Sequence, residues 1–195
     1  NEIRPVAAEL DETERFPAEI YDKMAEVGLF GICTPDDFGG VGADTLSYAI
    51  VMEELSRGYS SIADQCGLVE LICTLLTDHG TEEQRERYLK PLIAGKRRCA
   101  YAITEPEAGS DVSNVRTTAV RDGDGWRLDG GKIWIHNAPV GDFAVVLTRT
   151  DKEAGKRGMS IFLVDADRPG FAAGPKEHKM GQRASQVGAL EFDGV

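Results

Sequence analysis

Apolar positions along this chain follow two rhythms, one up to about residue 96 and another from about residue 100. In the first half they recur at intervals of three and four, the spacing that gathers one face of an α-helix. Leu68, Leu71, Ile72, Leu75 and Leu76 show it plainly. Punctuation residues divide this half into helices. Pro17 stands at a first helical position before AEIYDKMAEV, with Gly28 closing it; Asp44 caps TLSYAIVMEELSR, with Gly58 at its end; Ser60 or Ser61 opens a helix that Gly80 stops. Thr81-Glu-Glu-Gln84 reads as a capping box ahead of ERYLKPLIAG, and Pro91 is expected to kink or split that last helix because it lacks an N–H. Together these pieces predict an antiparallel helical layer.

After Lys96-Arg97-Arg98 the apolar residues alternate instead, in short β-branched and aromatic runs such as CAYAIT, FAVVLTRT, MSIFLVDA and GALEFDG. Asp122-Gly-Asp-Gly125 and Asp129-Gly-Gly131 read as turns between such runs. The expected class is α+β: an N-terminal antiparallel helical domain over 1–98, then an all-β domain over 99–195, a sandwich or a barrel by pattern alone and barrel-like by the family resemblance drawn below. Asn1-Glu-Ile-Arg4 shows no start signal and FDGV stops directly after a strand, so both ends are read as cut and the β-domain as incomplete.

Composition narrows the classes. With 195 residues, 42% of them hydrophobic, the chain is long enough for a real core. A net charge of −11, its acid excess concentrated in the first half, argues against a nucleic-acid partner, and no run approaches the roughly 18 apolar residues of a membrane span. Cys33, Cys66, Cys73 and Cys99 lie in apolar surroundings without a CxxC pair, which reads as buried reduced thiols and no metal site. A reducing compartment follows, the cytoplasm or alternatively the mitochondrial matrix.

No dinucleotide-binding, phosphate-loop, hydrolase-elbow or zincin motif occurs. Two stretches remain as candidate chemistry. ITEPEAGSDVSN leaves the first β-run and places Gly109 and Ser110 where backbone N–H groups and a hydroxyl can approach an anion. The same stretch also reads as a strand-end turn in which Asp111 and Ser110 bond their own backbone, and spacing alone favours that turn. Glu105 and Glu107 make a poor acid–base pair, since a proline separates them and nothing aims both at one atom. In Lys132-Ile-Trp-Ile-His136, strict alternation puts Ile133 and Ile135 on one face and Trp134 and His136 on the other, a surface suited to a planar ring system. The pattern by itself favours an ordinary amphipathic edge strand with a satisfied histidine.

Taken together, these stretches resemble the acyl-CoA dehydrogenase family. YAITEPEAGSDVSN is similar to its Thr-Glu-Pro-x-x-Gly-Ser-Asp signature and GGKIWIHNA to its Gly-x-Lys-x-Trp-Ile-x-Asn. HKMGQRAS and LEFDGV resemble the end of its middle domain, and FGICTPDDFGGVGAD and HGTEEQRERYLKPLIAGK its helical domain. The resemblance implies an FAD site. Tyr101, Ala102, Ile103 and Thr104 would line the isoalloxazine edge, with Thr104 bonding its pyrimidine part. Gly109 and Ser110 would lie by the pyrophosphate, Ser110 also near the acyl-CoA thioester arm. Along Trp134, Ile135 and His136, the indole would stack beside the flavin and position 136 would hydrogen-bond near N5. The family usually has threonine where this chain has His136, and an imidazole is larger and titrates near neutral pH.

The resemblance further implies α,β-dehydrogenation of an acyl-CoA thioester: a carboxylate base removes an α-proton while the β-hydrogen leaves as hydride to N5. It implies electron-transferring flavoprotein as partner and a homotetramer or homodimer in the full-length form. The family's base lies in a C-terminal helical domain, so no residue of this chain is assigned as catalytic. An acyl-CoA oxidase or flavin monooxygenase of the same fold, and a non-catalytic scaffold descendant, are the alternatives.

Overall fold

A computed structural model describes residues 2–195, and the chain forms two compact units. The first comprises residues 1–99 together with His178–Gln186; the second comprises Ala100–Glu177 and Val187–Val195.

The first unit is helical. It opens on α1 (Ile3–Thr13), which the sequence reading did not anticipate because its first turn carries no capping side chain. Next come α2 (Ala18–Glu26), starting directly after Pro17, and α3 (Thr45–Gly58), where the Asp44 carboxylate accepts from Ser47 N–H at 2.8 Å. The buried centre of the unit is α4 (Ser60–His79), with Ile62, Cys66, Val69, Ile72 and Cys73 almost wholly shielded. Thr81 and Gln84 form the expected reciprocal capping box at α5 (Glu82–Gln84). Pro91 has no N–H to donate four residues back. The ladder slips accordingly to a π segment over Arg85–Leu89, with Lys90 N–H reaching Arg85 O, before α6 (Lys90–Ile93) resumes.

Two buried carboxylates organise this unit. Glu70 on α4 accepts from the N–H groups of Ile32 and Cys33, each at 2.8 Å, and so holds the turn after α2. Glu14, in the left-handed region at φ 54, receives Arg183 at 2.6 Å and His178 Nδ1 at 2.7 Å. Its carbonyl takes the Gln186 amide at 2.7 Å, while Ser185 Oγ donates to Asp64 at 2.6 Å. The segment 178–186 thus lies along the helices as a strap. Cys66, Cys73 and Cys99 are buried free thiols; burial pushes Cys66 up to about 12 and raises the other two as well. Among the described residues no group of three His, Cys, Asp or Glu could hold a metal ion, and no helix is long and apolar enough to cross a membrane.

The second unit is a seven-stranded, mostly antiparallel sheet in the order β1-β4-β2-β3-β7-β6, with β5 pairing β4. Its strands are β1 (Cys99–Ala102), β2 (Thr118–Asp122), β3 (Gly125–His136), β4 (Phe143–Arg149), β5 (Met159–Asp165), β6 (Phe171–Ala173) and β7 (Val187–Asp193). Ala102, Leu128, Ile135, Val146, Leu190 and Phe192 fill its core. Asp122 pairs with Gly125 across the predicted hairpin turn, where Gly123 takes φ 58. The expected turn at Asp129-Gly-Gly131 is absent: all three residues continue β3 and pair with β7. Gly130 serves close approach instead, since a Cβ there would stand 2.7 Å from Thr117 Cα.

Candidate functional site

The site in the second unit is built where β1 runs out beside an irregularity in β3. Opposite β7, Lys132 faces Leu190 and Ile135 faces Gly188, so three steps on β3 match two on β7. One residue is therefore extra, a β-bulge, and Lys132 and Ile135 turn to the same inner face. Both are 1% exposed. The strict alternation expected over residues 132–136 fails here, and Ile133 is only half-buried. Trp134 takes φ 55, a conformation that a bulky side chain rarely adopts, and stands 67% exposed. The freed N–H of Ile133 donates to Thr104 O at 3.0 Å.

That bond joins the two sequence-predicted groups. Tyr101, Ile103 and Thr104 are half-buried along the edge leaving β1, Ala102 is buried in the core, and the edge meets β3 immediately before Trp134, Ile135 and His136. Ile135 points inward and His136 is half-buried. Beyond Thr104 the chain makes a tight bridge between Glu105 and Ala108, then exposes Gly109 and Ser110. A Cβ on Gly109 would meet nothing within 4 Å, which leaves its backbone open to a ligand. Asp111 caps the 3₁₀ turn Val112–Asn114, and its bond from the Ser113 hydroxyl holds its carboxyl below the usual range. The turn expected from Asp111 is present; Ser110 projects from its start.

Glu105 has a role that spacing did not reveal. Its carboxylate is buried, accepts from Arg116 N–H at 2.6 Å and Thr117 N–H at 3.0 Å, and pairs with Lys132 Nζ at 2.8 Å. Burial alone would raise the carboxyl, yet the bonds from Lys132, Thr117 and Arg116 together hold it below its ordinary value. Burial lowers Lys132, with Glu105 opposing. Three acceptors surround the amine, so the charged ammonium is the form that suits it. Exposed Glu107 pairs with Arg116 at 2.7 Å. A cavity of about 360 Å³ opens beside this group, walled by Pro106, Arg116, Gly131, Ile133 and Leu190 among others. Lys132 lies within the Lys132–His136 stretch, yet nothing in the spacing marks it as a functional residue. A charged residue in a strand gives no sign of an inward turn when the bulge that turns it is unseen.

Comparison with known proteins matches this architecture. Residues 1–96 match the family described as acyl-CoA dehydrogenase, N-terminal domain, and residues 100–195 that described as acyl-CoA dehydrogenase, middle domain. The chain belongs to the acyl-CoA dehydrogenase family. It is 42% identical over 198 residues to the short-chain specific acyl-CoA dehydrogenase of Clostridium acetobutylicum, covering 99% of this chain and 51% of that protein. It is 47% identical over 175 residues to subunit CarC of the caffeyl-CoA reductase-Etf complex of Acetobacterium woodii, covering 89% and 46%. Butyryl-CoA dehydrogenase from Megasphaera elsdenii superposes with a TM-score of 0.94 at 34% identity, over 100% of this chain and 52% of that one. A glutaryl-CoA dehydrogenase from Mycobacterium smegmatis in complex with FADH2 gives 0.91 at 32%, over 98% and 48%. The chain thus spans about half the length of these relatives. Its fold is theirs, a helical N-terminal region followed by a half-barrel sheet.

Proposed function

We propose that this chain forms the N-terminal and middle portion of an FAD-dependent acyl-CoA dehydrogenase. The observation that carries the reading is Trp134, a large aromatic held outward in a left-handed bulge directly beside the Thr104 edge. Strained, exposed residues of this kind persist where a ligand uses them. When bound, FAD supplies a two-electron acceptor for the hydrogen removed from the substrate.

The residues present fit that group. Trp134 offers an exposed ring face, Tyr101, Ala102 and Ile103 the edge beside it, and Thr104 a hydroxyl for the pyrimidine part. His136, half-buried next to the buried anchor Ile135, would hydrogen-bond near N5 through a ring nitrogen. Gly109 and Ser110 present open backbone and a hydroxyl to the pyrophosphate, with Ser110 also toward the acyl-CoA arm. The carboxylate base belongs to the part of the protein beyond this chain, as do the contacts of a homotetramer or homodimer. Electron-transferring flavoprotein is the proposed electron acceptor, a pairing carried by the Etf complex in which the Acetobacterium woodii relative takes part. A second reading has the same site running in reverse as an enoyl-CoA reductase, favoured by two relatives described as a caffeyl-CoA reductase subunit and a 3-(aryl)acrylate reductase.

The test is anaerobic titration of the full-length protein. Purified with its flavin, it is expected to bleach on adding saturated acyl-CoAs of suitable length; in the second reading the reduced flavin instead regains colour with α,β-unsaturated thioesters and does not bleach with saturated ones. Protein that takes up no FAD from excess cofactor would overturn both readings.

A further inference from the structure

An ammonium group has three N–H donors, and those of Lys132 find three acceptors, two on the β1 exit and one on β4. They are Ile103 O at 3.0 Å, Glu105 Oε1 at 2.8 Å and Leu147 O on β4 at 2.6 Å. The carboxylate extends the node to the start of β2 by accepting from Arg116 and Thr117. Thr117 in turn sits against Gly130, whose missing side chain makes room for it. Every polar atom of the pair is thus engaged, in a place where Lys132 has no exposed side-chain surface.

Such a pair is an uneconomical source of stability, because withdrawing both charges from water costs much of what their attraction returns. Its use lies in placement. Lys132 holds the carbonyl of Ile103 by its side chain, and the next residue, Ile133, holds the carbonyl of Thr104 by its backbone. Two consecutive residues of β3 therefore grip two consecutive carbonyls of the β1 exit, immediately before Trp134 turns outward. Without the side-chain contact, the Ile133 N–H bond would remain as the main-chain link from that edge to β3.

We propose that Lys132 is a positioning residue: its ammonium fixes the Ile103–Thr104 edge against β3 and β4 and thereby sets where the Thr104 hydroxyl and the Trp134 indole stand. The ligand side of this inference rests on the flavin reading given above. Lys132 has no contact with the cofactor in this account and acts through the wall it fixes.

The test compares Lys132→Met with Val164→Ala in the full-length protein. Val164 is a buried core residue paired with Ala144 on the same sheet and has no bond to the node, so it reports what general loosening does. At matched loss of melting temperature, K132M is expected to weaken FAD binding about tenfold or more and to alter the visible circular dichroism of bound flavin. In the apoprotein it is expected to speed amide exchange at residues 103–105 and 132–136 selectively. V164A should do neither. Identical behaviour of the two variants would overturn the proposal. Wild-type protein that bound no FAD would sink the proposed function, while the exchange data would still decide whether Lys132 fixes the edge. Should K132M fail to fold, Glu105→Gln, which leaves both carbonyl contacts of Lys132 in place, is expected to show the same pattern more weakly; E105Q indistinguishable from V164A would refute it.

Discussion

The main-chain N–H of Ile133 donates to the carbonyl of Thr104 at 3.0 Å, although Ile133 sits within a strand whose ladder partner is β7. The extra residue in β3 makes this possible, because it releases one amide from the ladder and turns it toward the β1 exit. Two motifs that lie apart in the chain are joined there, by that bond and by the two that Lys132 makes to Ile103 and Glu105. The same local distortion turns Lys132 inward and Trp134 outward.

Relieving the backbone at Trp134 should separate stability from binding. A left-handed conformation costs a residue with a Cβ about 1–2 kcal/mol, and a 67% exposed side chain loses little burial when removed. Trp134→Gly is therefore expected to leave apoprotein stability in urea unchanged or about 1 kcal/mol higher, while FAD affinity falls. A less stable apoprotein with normal affinity would contradict both the strain and the role.

Position 136 reports on the N5 contact. His136→Thr in the full-length protein should shift the flavin's reduction potential and its rate of reduction by acyl-CoA. If spectroscopic redox titration and stopped-flow absorbance both give wild-type values, the proposed contact is wrong.

For Glu105 the sign of the pH effect follows from its lowered carboxyl. The folded state holds the ionised form more tightly than the unfolded chain does, so this contribution is fully present above the unfolded value of about 4.3. It is lost as pH falls through the lower folded value. Urea midpoints measured from neutral pH down through that window should drop more steeply for wild type than for Glu105→Gln. Parallel curves would show that the pair does not titrate as the geometry requires.

Glycines 123 and 130 should differ when each receives a methyl group. At Gly123, φ is 58 and a Cβ would meet nothing within 4 Å, so Gly123→Ala should cost only backbone strain of about 1–2 kcal/mol. At Gly130, φ is 145 and the Cβ would fall 2.7 Å from Thr117 Cα and Oγ1. Gly130→Ala should lower the melting temperature distinctly more, with disturbance reaching Thr117 and the Glu105 carboxylate it supports.

In the helical unit, Glu14 is expected to hold the 178–186 strap. Glu14→Ala removes the acceptor of Arg183 and His178, while the bonds from Gln186 to the residue-14 carbonyl, from Ser185 to Asp64 and from Ala184 N–H to the Tyr59 hydroxyl stay in place. Limited trypsin digestion should then cut after Lys179 and Arg183 markedly faster than in wild type. Unchanged cleavage would mean the strap is held without the carboxylate.

Much of the architecture could be read from the residues themselves. The Thr81–Gln84 capping box, the Asp44 cap and the consequence of Pro91 are local effects, complete within a few residues, and each is visible in the structure. Where reading failed, the determinant was distant or of one residue. Helix α1 lacks a side-chain cap and relies on packing, with Leu10 wholly buried. The Gly-Gly at 130–131 looks like a turn until Thr117 is brought against it. At the candidate site the sequence singled out two stretches that the structure brings together, but an unbroken period of two was assumed, and one inserted residue was enough to hide Lys132. Its pairing with Glu105 depends on β1 and β3 meeting, which no spacing along the chain encodes.

The strap also bears on how this polypeptide can be divided. The chain leaves the sheet unit after Glu177 and returns to it at Val187, having spent the interval among the helices. Severing it at residue 99, where the sequence changes character, would not release two self-sufficient modules. The sheet fragment would carry away Ser185 and Gln186 stripped of Asp64 and Glu14, and the helical fragment would keep a shielded Glu14 carboxylate with no Arg183 to answer it. Exchange of this β-module between relatives therefore has to carry a compatible helical acceptor for 178–186, so recombination at the visible seam is constrained by residues well upstream of it.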